Sequence, residues 1–168
     1  MAENYQQLTD GLISIAHEKY DNIKLIPVNL EIDGEVKTFE LEMYKLFSPV
    51  GIKECLQEFV VNMDYAKSAN KDGFGDVLEP YLMYLLIKHF TNLGESMPNT
   101  FKEQLGSLKH MMNTTAFFQI IIQFDPEEIK KIKEELEILI ETFEDNYQIL
   151  EELKKNAKGK LENPELVE

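Results

Sequence analysis

The stretch that decides the fold is IPVNLEIDGEVKTFELEM (residues 26–43), followed by YKLFSPVGIKECLQEFVVNM (residues 44–63). In the first half, Ile26, Val28, Leu30 and Ile32 alternate with Asn29, Glu31 and Asp33. Phe39, Leu41 and Met43 alternate with Glu40 and Glu42. Alternation of period two gives a strand one wet face and one buried face. Asp33-Gly34 lies between the two runs, and a two-residue hairpin turn needs the positive φ that this dipeptide accepts. A turn there predicts an antiparallel hairpin over about residues 24–43, with Val28 opposite Phe39 and Leu30 opposite Lys37. The apolar residues then share a face except at the tip. There Glu35 and Lys37 fall on that face and Val36 falls opposite, as in a tip that projects past the core.

The second half reads as a capped helix. Ser48 suits the N-cap and Pro49 the first helical position. Ile52, Cys55, Leu56, Phe59, Val60 and Met63 then fall at helical spacing and form one apolar stripe. A two-stranded hairpin is marginal without a cover, and this stripe is the cover expected from the sequence.

Working outward, Thr9 to Tyr20 reads as a short helix with Leu8, Leu12, Ile15, Ala16 and Tyr20 on its apolar side. Ser68 to Asp76, SANKDGFGD, reads as a loop, with Asp76 placed to cap the next helix. That helix, Tyr81 to Leu93, is apolar nearly all round, as a central helix is, and Gly94 is placed to end it. Glu95 to Asn99 reads as a loop containing Pro98. Thr100-x-x-Glu103 is a capping-box pattern, with Phe101, Leu105, Leu108 and Met112 spaced behind it. The run Ala116 to Phe124 fits a buried helix or a buried strand, and its helical neighbours favour helix. Asp125-Pro126-Glu127-Glu128 is the clearest helix start in the chain. Behind it Ile129, Ile132, Leu136, Leu139 and Phe143 recur at three and four residues, and Tyr147, Leu150 and Leu153 extend the stripe.

These elements predict an α+β fold, mostly helical: an N-terminal β-hairpin packed on a bundle of helices, with a long C-terminal helix over about residues 126–157. The expected organisation is a single domain over residues 1–157 and a flexible tail over 158–168. The stripe Ile129, Ile132, Leu136, Leu139, Phe143, Tyr147, Leu150 and Leu153 is the candidate protein-interaction face. It either packs onto the domain's own core or holds a helical client or another copy of the chain.

Composition narrows the function. The formal net charge is −14, from 31 Asp and Glu against 17 basic residues, and every basic residue is Lys. A surface of that sign opposes phosphate backbones and anionic membranes, so neither nucleic acid nor membrane is an expected partner. No apolar run approaches the length of a membrane span, and the polar start MAENYQQL lacks a signal pattern, so a cytoplasmic location is expected. The one cysteine, Cys55, lies on an apolar stripe and reads as a small core residue.

Catalytic and ligand patterns are not found. His17, His89 and His110 are far apart, with no metal-ligand spacing. His17 reads as a surface residue and His89 as a satisfied core histidine, while His110 has no evident partner. Asp72-Gly73-Phe74-Gly75-Asp76 lacks the spaced carboxylates of a calcium loop and the third glycine of a dinucleotide loop. The expectation is therefore a non-enzyme with no catalytic residues, no metal and no cofactor.

The segment Val28 to Phe59, with its strand, IDG turn, strand and the following helix bearing Leu56-Gln57-Glu58-Phe59 as an L-x-E-F-like pattern, resembles the tail assembly chaperones of tailed bacteriophages. The resemblance covers about a fifth of the chain; the helices after Lys71 carry none of it. It implies a cytoplasmic factor in the host bacterium that binds the tape-measure protein, a very long helical chain, and possibly the tail tube protein. It also implies that a frameshifted longer form can exist, and Lys155–Lys160, KNAKGK, is a Lys/Gly stretch of the kind where slippage occurs. Two other classes fit the acidic composition: an inhibitor that mimics nucleic acid, and a self-associating helical adaptor built on the last helix.

Overall fold

The computed structural model describes residues 7–68 and 77–142. The order of elements is α1 (Asp10–His17), β1 (Ile23–Ile32), β2 (Glu35–Tyr44), α2 (Pro49–Ser68), α3 (Leu78–Phe90), α4 (Phe101–Asn113) and α5 (Ala116–Ile121). Short 3-10 turns lie at Glu18–Asp21 and Asn92–Ser96. Residues 126–142 are helical and are called α6. The fold is α+β and mostly helical, as the sequence predicts. The glycine-rich loop after Ser68, the cap expected at Asp76, and the expected helix and tail beyond residue 142 lie outside the described residues. Among the described residues no helix is long and apolar enough to cross a membrane.

The hairpin forms in the predicted register. Val28 faces Phe39 and Leu30 faces Lys37. Asp33 and Gly34 take φ of 56° and 79°, the pair of positive values that lets a two-residue turn follow the strand twist. Ile26, Val28, Leu41 and Met43 are buried. Beyond them the dry face gives out: Phe39 is 43% exposed and Ile32 is exposed as well. The outer half of the hairpin therefore projects past the core.

The core is centred on α3. Tyr81 through Ile87 are all buried, and Phe90 with them. A helix apolar on every side must be surrounded, and α2, α4 and α5 all pack against it. Ile52, Cys55, Leu56 and Phe59 of α2 are buried, whereas Val60 and Met63 are half-buried. Ser48 caps α2, its hydroxyl accepting the Gly51 N–H at 3.1 Å. The expectation that α2 covers the hairpin is corrected here. The stripe of α2 packs mainly on α3, and the hairpin is met by α5 against β1 and by the Asn92–Ser96 turn against β2. Phe47, just after β2, stacks on Phe90 with ring centroids 3.7 Å apart and meets Phe124 edge-on.

Two helix ends differ from expectation. α3 stops at Phe90, not Leu93, because Thr91 turns extended and caps the following 3-10 turn, its hydroxyl accepting the Leu93 N–H. Thr91 also bridges to Met43 of β2. Gly94 instead permits a close approach: a Cβ there would lie 1.9 Å from the Lys88 carbonyl oxygen. The run from Ala116 is helical as favoured, but α5 is short, and Thr115 enters it with φ of 64°.

The chain divides into two compact units, Met1–Ile129 and Lys130–Glu168. Everything above belongs to the first, apart from the part of α6 after Ile129.

Candidate protein-interaction surface

The first apolar surface belongs to α1. Thr9 caps this helix through its hydroxyl, which accepts the Leu12 N–H. None of its residues is buried. Leu8 is 74% exposed and Ile15 63%, with Leu12 and Ile13 exposed beside them. Isolated helices this short are marginal in water, since propagation over eight residues does not offset nucleation. Beside α1 an open, mostly apolar groove is lined by Ile13, Ala16, Tyr20, Pro49 and Val50. Lys19 lies over the Tyr20 ring at 4.9 Å and leaves one edge of the groove cationic.

A second surface is the outward face of the hairpin, where Ile23, Leu25, Val36 and Tyr44 are exposed among Glu31, Glu40 and Glu42. The third is the sequence-predicted stripe. Ile129, Leu136 and Leu139 are half-buried and Ile132 is fully buried. Ile138 and Ile140, which lie off the stripe, are exposed. Phe143, Tyr147, Leu150 and Leu153 lie outside the described residues.

Behind these surfaces, one polar cluster ties α2, α3 and α4 together. Glu58 of α2 accepts from Lys88 Nζ at 2.7 Å, from His89 Nε2 at 2.7 Å and from Gln104 Nε2 at 2.5 Å. Gln104, fully buried, also donates to the Pro98 carbonyl and accepts from the Tyr81 hydroxyl at 2.6 Å. Asn62 in turn donates to Tyr81. Burial alone would raise the Glu58 carboxyl, but the donors His89, Lys88 and Gln104 outweigh it and hold it at about 2. Glu58 is therefore ionised across the ordinary pH range, with both carboxylate oxygens accepting hydrogen bonds.

Burial pushes the Cys55 thiol and the Tyr81 phenol upward, so neither is a ready nucleophile or acid. The Tyr84 hydroxyl is buried and faces Ser107 without a hydrogen bond of good geometry. Glu58 and His89 occupy each other, and among the described residues no three His, Cys, Asp or Glu side chains converge. The cluster is built to hold three helices in register. His89 is satisfied, as the sequence reading has it, whereas Gln104 was missed. It lies three residues after Phe101 and four before Leu108, on their buried face, but its polar amide argues against burial until its partners are known.

The arrangement as a whole is a helical core that exposes apolar side chains on α1 and on the hairpin. A family model matches residues 12–168, which is most of the chain. The chain belongs to the YomO family. It is 24% identical over 140 residues to the SPbeta prophage-derived protein YomO of Bacillus subtilis (strain 168), across 83% of this chain and 79% of that one. The phage origin implied by the tail-chaperone resemblance is thus shared by a member of the YomO family. No solved structure matches.

Proposed function

We propose that this chain is a phage-encoded assembly chaperone of the tail-assembly type, which binds a long apolar helical client and keeps it in solution. The observation that carries the reading is α1, a capped amphipathic helix with no buried residue. Apolar side chains set side by side on such a surface are unusual unless a partner covers them. An amphipathic client helix covers them by packing its own apolar face on Leu12, Ile13 and Ile15 and in the adjoining groove. The net charge of −14 then keeps the complex apart from its neighbours. This reading gives the chain no catalytic step and a place in the host cytoplasm.

The deciding experiment is co-expression with the tape-measure-type protein of the same phage. The soluble fraction of the client should rise with the wild-type chain and fall back with a Leu12→Asp, Ile15→Asp double variant that remains folded. A client equally soluble with and without the chain, and no co-elution, would refute the reading.

A further inference from the structure

The two outer edges of the hairpin are unequally closed. In a hairpin with a two-residue turn, the residues flanking the turn exchange ladder bonds, and every second residue points its N–H and C=O outward. With the turn at Asp33-Gly34, the outward residues are Ile23, Leu25, Pro27, Asn29 and Glu31 on β1. On β2 they are Val36, Thr38, Glu40, Glu42 and Tyr44.

The outer edge of β1 is interrupted. Pro27 has no N–H to offer. The Gln119 side chain takes both backbone groups of Asn29, accepting from its N–H at 2.8 Å and donating to its carbonyl at 2.9 Å. The outer edge of β2 is closed at its base, where Asn92 accepts the Glu42 N–H and Thr91 bridges to Met43. From Val36 to Glu40 no such cover is present among the described residues, and all five residues are exposed. That leaves three consecutive outward residues, enough for about six backbone hydrogen bonds with an added strand.

We propose that the outer edge of β2, from Val36 to Glu40, takes up an extended cationic segment of another protein as a third strand of the sheet. Charge selects the occupant. The side chains on the outward face include Glu31, Glu40 and Glu42 and no Lys or His. A strand with Lys or Arg at alternate positions sets a cation beside Glu40, with Glu31 and Glu42 on the same face of the sheet, where opposite charges across strands stabilise pairing. A second copy of this chain would bring the same carboxylates and another −14, so self-pairing is opposed. Because it concerns an extended segment and not a helix, this site is separate from the α1 surface.

The test uses the full chain and a synthetic peptide of alternating lysine and threonine, about ten residues long. In the free protein the Val36, Thr38 and Glu40 amides should exchange with solvent quickly. Saturating peptide should slow those three at least about tenfold, and raised salt should weaken the effect. The same peptide with glutamate in place of lysine should do nothing. Thr38→Pro removes an outward N–H without touching a ladder bond and should abolish the protection; Glu40→Lys, which leaves the backbone intact, should weaken it. Leu12→Asp should leave it unchanged, so failure here is distinct from failure of the helical-client reading. No saturable protection at these amides, equal protection by both peptides, or protection that grows with protein concentration in the absence of peptide would overturn the proposal.

Discussion

The buried carboxylate of Glu128 accepts the backbone N–H of Phe47 at 2.8 Å. These residues are 81 positions apart, and the bond ties the first turn of α6 to the link between β2 and α2. Phe47 cannot find a backbone partner there, because the chain is leaving a strand and has not yet entered a helix. A buried N–H without a partner is costly, and a charged acceptor is the strongest replacement.

Glu128→Ala should therefore destabilise the protein by about 1–3 kcal/mol, the cost of leaving a buried donor unmade. Glu128→Gln keeps an acceptor oxygen and should lose clearly less. Urea midpoints of the two variants against wild type check this, and equal losses would show that the Phe47 bond is not what Glu128 supplies.

Glu58 predicts an acid-side dependence. Its carboxyl is held at about 2, against an ordinary value of 4.5. A group depressed in the folded state contributes stability that is fully present above its unfolded value and lost as pH falls through its folded value. Stability should thus decline between about pH 5 and pH 2, and Glu58→Gln should flatten that decline while lowering stability near neutrality by about 2–4 kcal/mol. Chemical denaturation across this range measures both effects. A Gln variant with the wild-type pH profile would mean other carboxylates carry it.

Gly94→Ala should be destabilising by about 1–3 kcal/mol, as overpacking is. Its Cβ would meet the Lys88 carbonyl oxygen, which is backbone and cannot swing away. Thermal melting reads this directly, with Gly106→Ala, where a Cβ meets open space, as the control expected to hold or gain stability.

The stripe on α6 and the face of α1 should respond in opposite ways to charge. Ile132 has no exposed surface, so Ile132→Asp should unfold the chain or drive it to aggregate. Leu12 is 44% exposed, so Leu12→Asp should leave far-UV circular dichroism and melting near wild type. An unfolded Leu12 variant would mean that α1 is held against the body after all.

The sequence by itself determined the local elements. Alternation and Asp-Gly set the hairpin and its register, because a slip of one residue would turn Ile26, Val28, Leu41 and Met43 to water. Ser48-Pro49, Thr100 and Asp125-Pro126 placed helix starts within a residue. The Ser48 hydroxyl and the Asp125 carboxylate each accept an orphan backbone N–H, and a first-turn proline has none to satisfy. The Thr100 hydroxyl instead donates to the Glu103 carboxylate and caps no backbone donor. The uninterrupted apolar run of α3 marked the centre of the core.

What the sequence could not settle was which apolar surface meets which. The stripe of α2 could cover the hairpin or α3 equally well by periodicity. Tertiary structure gave it to α3, whose all-round apolar surface demands more neighbours, and left α5 and a 3-10 turn to the hairpin. The face of α1 is as amphipathic as a core helix, yet nothing is buried on it. Gln104 and Glu128 read as ordinary polar positions until the donors and acceptors brought to them from distant positions made burial affordable. Periodicity reports that a side chain can be buried, but only the assembled fold supplies the partner that decides whether it is.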